Sequence, residues 1–202
     1  MQTTTMEKEE FLRLEFKREG ANYRLQLLFA TDERGIVYRV TSVLFANNWN
    51  ILGASIRSLE NGQIEDEFLI HHSSNAELNE TELQKLKTEM QQLFREEISI
   101  ASYMIKKGKM ANNNPKDPHA KISFKNEDNQ DLTKLRIQTK DRSGLLCNIA
   151  RMLYLECMDI LSVQANTKGS EVDDLFEIKS ESGHRLDESM QVRLVRNLKN
   201  IL

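Results

Sequence analysis

The chain has 202 residues, with 28 lysines and arginines against 31 aspartates and glutamates and a net charge of −3. This balance argues against a nucleic-acid-binding protein, which usually presents a basic face. Hydrophobic residues make up 39% of the chain, enough for two modest cores, and no apolar run is long enough to cross a membrane. Residues 1–8 lack the basic and apolar regions of a secretory signal. We therefore expect a cytoplasmic protein without a nucleic-acid or membrane partner.

The cysteines and histidines form no pattern typical of a metal or redox site. Cys147 and Cys157 make neither a Cys-x-x-Cys pair nor a metal quartet, and both stand beside apolar residues. We interpret them as buried, reduced side chains, with an exposed and oxidisable thiol as the alternative. The four histidines have no carboxylate or thiol at metal-ligand spacing. The prediction is a protein with no metal and no cofactor.

The first half of the chain predicts the element order ββαββα. Apolar residues alternate with polar ones in the predicted strands and recur at helical spacing in the predicted helices. The elements are strands around 12–16 and from 23, a helix over about 33–47, strands near 49–59 and 63–71, and a helix from 80. The dipeptide Asn61-Gly62 favours a hairpin between the third and fourth strands. Asn79, with Glu82 three residues later, is typical of a helix N-cap.

The second half repeats this order after a polar linker. Residues 98–105 are ambiguous between a helix end and a short strand, and both prolines stand in the linker at 106–119. The elements that follow are strands around 122–124 and 132–139, a helix over about 142–156, strands near 159–167 and 171–179, and a last helix capped by Asp187. We therefore predict a disordered N-terminus at 1–9, a first domain at 10–105 and a second at 120–202.

The two halves align as an internal repeat. Residues 32–37 read Asp-Glu-Arg-Gly-Ile-Val, and residues 141–146 read Asp-Arg-Ser-Gly-Leu-Leu at the matching place. Each segment follows an alternating apolar strand and opens an amphipathic helix, and the apolar positions of the two helices coincide at one constant offset. Chance similarity between two α/β stretches is the alternative. The agreement of spacing, apolar pattern and glycine position favours a true repeat.

The order of elements constrains the topology. A ferredoxin-like sandwich has four antiparallel strands beneath two helices, ordinarily in the order βαββαβ. Each half of this chain instead ends on a helix and begins with an additional strand, which can replace the missing last strand at the sheet edge. The predicted fold class is therefore α+β, with two ferredoxin-like domains in a permuted ββαββα order and helices on one face of each antiparallel sheet.

The turn, the helix and the hairpin together resemble the ACT domain family of small-molecule regulatory modules. Residues 141–146 are similar to that family's Asp-Arg-Pro-Gly-Leu-Leu turn, and residues 167–176 resemble its Thr-x-Gly … Asp-x-Phe pattern. The strand at 121–124 resembles the element before the last domain in the tandem ACT region that ends bifunctional PII uridylyltransferase/uridylyl-removing enzymes.

The resemblance covers residues 11–95 and 120–202, and both turns depart from it by lacking the proline, with Arg34 and Ser143 in its place. It implies two domains paired side by side in one eight-stranded sheet, with ligand sites at the shared edge. The implied ligand is an amino acid, glutamine being the first to consider, and the implied role lies in nitrogen regulation. Because the chain has neither a Gly-Ser nucleotidyltransferase signature nor clustered His-Asp phosphohydrolase ligands, we do not expect an enzyme.

The candidate ligand site comprises the two turns and the start of the strand after each helix. Glycine permits close approach to the backbone, N–H groups at a helix start can hold a carboxylate, and an aspartate can accept from an amino group. The candidate residues are Asp32, Arg34, Gly35, Ile36, Val37, Asn50, Asp141, Ser143, Gly144, Leu145, Leu146 and Asp159. Two alternatives remain open: the turn aspartates are ordinary N-caps, and the glycines serve tight helix–strand packing.

Other functions rank lower. The acidic clusters at 65–67 and 173–174 are interpreted as hairpin edges and not as a catalytic pair of carboxylates. The alternatives to a sensor are a structural module that forms a homodimer or docks to a regulated enzyme, and a fragment of a PII uridylyltransferase. An RNA-binding domain ranks last, because aromatic residues are only 6% of the chain and the net charge is negative.

Overall fold

The computed structural model describes residues 11–31, 33–58, 63–109, 116–126 and 130–202. The elements of the first half are β1 (Leu12–Glu19), β2 (Asn22–Phe29), α1 (Ile36–Ala46), β3 (Trp49–Ser58), β4 (Ile64–His72), α2 (Glu80–Phe94) and α3 (Ile100–Lys106). Those of the second half are β5 (Lys121–Asn126), β6 (Thr133–Lys140), α4 (Leu145–Leu155), β7 (Asp159–Lys168), β8 (Glu171–Lys179) and α5 (Glu188–Ile201). The predicted order ββαββα is confirmed in both halves.

The structure differs from the predicted elements in two places. The ambiguous segment at 98–105 forms the short helix α3. Both α1 and α4 begin about one turn later than predicted, because Gly35 and Gly144 adopt a left-handed backbone that lies outside the helical region. The predicted hairpin dipeptide Asn61-Gly62 and the N-terminal residues 1–9 lie outside the described residues.

All eight strands form one antiparallel sheet in the order β1-β2-β4-β3-β7-β8-β6-β5. The leading strand of each half pairs with the strand that follows it and occupies the outer edge, as the permuted topology requires. The two halves join through β3 and β7, whose register pairs Gly53 with Asn166 and Ile56 with Val163. The predicted side-by-side pairing is therefore confirmed.

The helices form a single layer over one face of the sheet. Helices α2, α1, α4 and α5 contact one another in that order, and the strands beneath them bury alternate residues. Helices α1 and α4 meet above the joint between the two halves, where Ser42 Oγ lies 3.5 Å from Cys147 Sγ and the rings of Tyr38 and Tyr154 are 5.6 Å apart. The two cores therefore merge into one at this joint.

The predicted helix caps are confirmed. Asn79 Oδ1 accepts a hydrogen bond from the Glu82 N–H at 3.0 Å, and Asp187 Oδ1 accepts one from the Met190 N–H at 2.8 Å. Each bond satisfies one of the donors that a helix start leaves without a helical acceptor. In the part of the chain that the structure describes, no helix is both long and apolar enough to cross a membrane.

A polar cluster holds α3 against the first domain. The carboxylate of Glu89 accepts hydrogen bonds of 2.6 Å each from the Tyr103 hydroxyl, the Lys107 ammonium and the Asn47 amide. The Glu89 side chain is only 15% exposed. Removing it leaves three donors without their shared acceptor in a largely dry environment.

We expect Glu89→Ala to lower the free energy of unfolding by about 2–3 kcal/mol, because the loss of Glu89 leaves a partly buried ammonium and two further donors without their acceptor. Urea denaturation measures this loss. Glu77→Ala is the matched control: Glu77 pairs with Arg18 at 3.2 Å, but both side chains are more than half exposed, so the expected loss is below about 1 kcal/mol. Equal losses in the two variants would show that the cluster does not stabilise α3.

Candidate functional site

The two glycine turns have the same backbone geometry. Gly35 is the N-cap of α1 with a φ of +90°, and Gly144 is the N-cap of α4 with a φ of +75°. Within the described residues, neither helix start receives a hydrogen bond from a capping side chain. The interpretation of Asp141 as an N-cap is therefore wrong, because the turn places Gly144 at that position. Asp32 lies outside the described residues.

An aromatic ring from the other domain packs against each glycine. A Cβ atom on Gly35 would lie 2.8 Å from the ring of Tyr154 on α4, and one on Gly144 would lie 2.8 Å from the ring of Phe45 on α1. Phe45 and Tyr154 are equivalent positions of the repeat. The missing Cβ therefore makes room for a side chain of the protein itself, which supports the packing alternative for both glycines.

The first cavity lies between the turn of the second domain and the first domain. Six of the predicted residues line it: Asn50, Asp141, Ser143, Gly144, Leu145 and Leu146. The Ser143 hydroxyl donates a hydrogen bond of 2.9 Å to Asn50 Oδ1 and so joins the turn to the start of β3. The free volume is about 60 Å³, enough for a few water molecules.

The second cavity is the counterpart of the first at the other turn. Gly35, Ile36, Val37 and Asp159 line it, together with Tyr154. Its free volume is about 20 Å³, a third of that of the first cavity. Asn50 and Asp159 were predicted to lie at the same end of the sheet as the turns. In the structure, Asn50 lines the cavity at the turn of the second domain, and Asp159 lines the cavity at the turn of the first domain.

Arg34 does not line either cavity. Its guanidinium pairs with Glu181 at 3.0 Å, lies 5.4 Å from the centre of the Tyr154 ring, and approaches Cys157 Sγ at 3.9 Å. Arg34 therefore attaches the turn of the first domain to the second domain. Of the two cysteines, Cys147 is buried as predicted, whereas Cys157 is half-buried.

Some of the backbone N–H groups predicted to bind a carboxylate already donate hydrogen bonds within the turns. The Ile36 N–H donates to the Glu33 carbonyl at 3.3 Å, and the Leu145 N–H donates to the Arg142 carbonyl at 3.1 Å. In α4 the helical ladder begins with the Asn148 N–H, which donates to the Gly144 carbonyl at 3.0 Å. The N–H groups of the intervening residues therefore have no helical acceptor and remain the candidate donors to a ligand.

The structure brings one further acidic residue to the first cavity. Asp174 on β8 lines the cavity, its side chain is only 3% exposed, and its Oδ1 accepts a hydrogen bond of 3.1 Å from the Asn166 N–H. Burial raises the pKa of Asp174 to about 7, and the negative charges of Asp173 and Asp141 act in the same direction. A carboxyl with this pKa changes its charge near neutral pH.

The hairpin-edge interpretation of the acidic clusters is therefore wrong for Asp174 and for Asp66, which is fully buried at the equivalent position on β4. The hairpin-edge interpretation holds for Asp173, which points to the opposite face and forms an exposed ion pair with Arg136. The signal was present in the sequence: Asp174 stands at an inward position of an alternating strand, between Val172 and Phe176.

Arg142 is the cationic residue among those that line the first cavity, and its charge is directed elsewhere. The guanidinium donates to the carbonyl of Leu202 at 3.0 Å and to that of Ile201, at the end of α5. Burial lowers the pKa of Arg142, but a guanidinium stays protonated at neutral pH. Arg142 still stabilises the charge of its neighbour Asp141, whereas no cation among the described residues that line the cavity pairs with Asp174.

Comparison with known proteins agrees with the resemblance inferred from the turn. The chain is 22% identical over 173 residues to a bifunctional uridylyltransferase/uridylyl-removing enzyme of Novosphingobium aromaticivorans, covering 85% of the chain and 19% of that enzyme. It is 27% identical over 179 residues to the enzyme of the same name from Nitrosospira multiformis, covering 87% of the chain and 20% of that enzyme. The resemblance to these enzymes is confirmed.

The chain spans about a fifth of the length of the curated relatives it matches. No family model matches the sequence. Among solved structures, an aspartate kinase from Synechocystis aligns with 90% of the chain and 27% of its own length, at 14% identity and a TM-score of 0.44. The similarity in sequence therefore concerns a part of the relatives.

Proposed function

We propose that the chain is a regulatory module of the tandem ACT type that binds an amino acid, with L-glutamine as the first ligand to test. The observation that supports this proposal best is the first cavity. It lies at the joint of the two domains, it is the larger of the two cavities at the glycine turns, and it contains six of the predicted ligand-binding residues.

The lining of the first cavity suits a zwitterion. The α-carboxylate would face the start of α4, where N–H groups without helical acceptors and the helix dipole favour negative charge. The α-amino group would face the acidic side of the cavity, where Asp141 stands. The free volume of about 60 Å³ is small, so we expect the domains to separate slightly when the ligand enters.

The position of the cavity also explains how binding would be communicated. A ligand there contacts the turn of one domain and α1 and β3 of the other, so it changes how the two domains pack. The two cavities differ in size, and coupling between unequal sites is typically about 1–3 kcal/mol. We propose that this change regulates a linked or partner enzyme in nitrogen metabolism, and that the chain itself does not catalyse a reaction.

Thermal unfolding in the presence of each of the twenty L-amino acids tests the proposal. A ligand at about 100 times its Kd adds roughly 2.7 kcal/mol of stability, which for a chain of this size raises Tm by about 5–10 °C. We expect such a shift with L-glutamine or a close analogue. The absence of a shift with every amino acid would reject the sensor function and favour the structural module that self-associates or docks.

A further inference from the structure

Asp174 is only partly paired within the fold. Its side chain lies on the face of β8 that the helices cover, where the alternating neighbours Val172 and Phe176 are apolar and buried. A buried carboxyl at such a position costs stability unless it is fully paired. The hydrogen bond from the Asn166 N–H is the one that Asp174 receives within the described residues, and it reaches only Oδ1.

Asp174 lines the first cavity, and its second oxygen accepts no hydrogen bond from the described residues. Arg142 is the cation among the described residues that line the cavity, and it makes no hydrogen bond to Asp174. The turn before α4 contributes Asp141 and Arg142, and the Arg142 guanidinium is held by carbonyls at the end of α5. Helix α1 contributes the uncharged Thr41 and Phe45.

The remaining neighbours among the described residues carry no positive charge. β7 contributes Asn166 and Thr167, which are neutral, and α4 contributes Cys147, whose pKa burial raises, so the thiol stays neutral. On β8 itself, Asp173 carries a negative charge on the opposite face. A carboxylate kept in this environment is therefore suited to a cationic group that arrives with a ligand.

We infer that Asp174 is the anionic recognition residue of the first cavity and selects ligands that carry a primary ammonium group. The inference rests on the proposed function and deepens it, because it adds Asp174 on β8 to Asp141 as the residue that selects the ammonium. The ammonium supplies the counter-charge that the protein does not. Organic acids of the same shape that lack the ammonium are excluded, since they would bring a net negative charge beside Asp174 and Asp141.

The ionisation of Asp174 makes this recognition dependent on pH. With a pKa of about 7, the ionised fraction of Asp174 rises about tenfold between pH 6 and pH 8, while the ammonium of a free amino acid, which is more basic than a chain terminus, stays largely protonated. Affinity for an amino acid is expected to rise over this range. A neutral Asp174 that donated a hydrogen bond instead would give the opposite trend.

Isothermal titration calorimetry with L-glutamine at pH 6 and pH 8 tests the inference, using the wild-type chain, Asp174→Asn and Asp173→Asn. Asparagine keeps the acceptor for the Asn166 N–H, and Asp173→Asn removes an equal charge from the opposite face of the same strand. We expect Asp174→Asn to weaken binding at pH 8 by at least about tenfold and Asp173→Asn to change it by less than about twofold. The 2-hydroxy analogue of L-glutamine should bind at least about tenfold more weakly than L-glutamine.

The outcomes separate the inference from the proposed function. If the wild-type chain binds L-glutamine and Asp174→Asn binds it equally well, or if affinity is higher at pH 6, the inference is wrong and the sensor function stands. If L-glutamine does not bind, the same titrations are run with the other L-amino acids, and the same criteria apply to any that bind. Failure of all twenty rejects both proposals. Circular dichroism and urea unfolding establish that each variant is folded.

Discussion

Replacing Gly144 with alanine should lower the free energy of unfolding by about 2–4 kcal/mol. Two costs add: a left-handed φ of +75° is unfavourable by about 1–2 kcal/mol for a residue with a Cβ, and that Cβ would lie 2.8 Å from the Phe45 ring, which must move. For a chain of this size the expected fall in Tm is about 5–15 °C. Urea denaturation and calorimetry measure both quantities.

Gly183→Ala separates the two costs. Gly183 has a similar φ of +81°, but a Cβ there meets nothing within 4 Å, so only the backbone cost of about 1–2 kcal/mol applies. The difference between the two losses in the free energy of unfolding measures the cost of displacing the Phe45 ring from its contact with the other domain. In a Phe45→Ala background that difference should disappear. Equal losses at Gly144 and Gly183 in the wild-type background would contradict the role given to the ring.

Asp174→Asn should become increasingly more stable than the wild-type chain as the pH rises. The pKa of Asp174 is about 7 in the folded chain against an ordinary value of 3.8, so between these values the folded state holds a proton that the unfolded state has lost. The stabilising contribution of the protonated Asp174 is therefore fully present below about pH 4, and it is lost as the pH rises from there through 7. Asparagine does not titrate, so the difference between the two chains should grow by about 2–3 kcal/mol between pH 5 and pH 8.

Urea denaturation of both chains at pH 5 and pH 8 measures this difference. Asp173→Asn serves as the control, since Asp173 is exposed and its pKa is lowered by Arg136, so it should give nearly the same difference at both pH values. A constant difference between Asp174→Asn and the wild-type chain would mean that Asp174 is ionised in the folded state throughout this range. A stabilising substitution that also removes ligand binding is the behaviour expected of a residue retained for function.

The fold could be predicted from the sequence because local signals agree with one another. Period-two alternation marks the strands, the caps at Asn79 and Asp187 mark two helix starts, and the repeat fixes the order of the elements in both halves. The position of each leading strand at an outer edge of the sheet could be predicted from the number and order of the strands and helices. The starts of α1 and α4 were predicted less accurately, because the sequence does not distinguish a left-handed glycine before a helix from the first residue of the helix.

The candidate site was predicted less completely, for a physical reason. The turns and the starts of the following strands were found, but their pairing across domains depends on β3 joining β7, a contact between distant parts of the chain. The packing of Phe45 on Gly144 and of Tyr154 on Gly35 has the same origin. Both aromatic residues fit an ordinary helical pattern, so nothing in the sequence marks them as contacts between domains.

Asp174 is the informative exception, because the sequence did contain its signal. An aspartate at an inward position of an alternating strand conflicts with the local pattern, and such conflicts concentrate at functional sites. Its neighbour Asp173 obscured the signal, since two adjacent aspartates are ordinarily typical of a solvent-exposed edge. Assigning each of the two to its own face of β8 distinguishes them.

Titration of the isotopically labelled chain with L-glutamine, followed by two-dimensional ¹H–¹⁵N spectra, tests the central claim most directly. We expect the largest changes in the amide signals around the first cavity, at Asn50, Gly144, Leu145, Leu146 and Asn166, with smaller changes at the second turn. Changes confined to the outer strands β1 and β5, or a spectrum that does not respond to L-glutamine or to any other amino acid, would contradict a ligand site at the joint of the two domains.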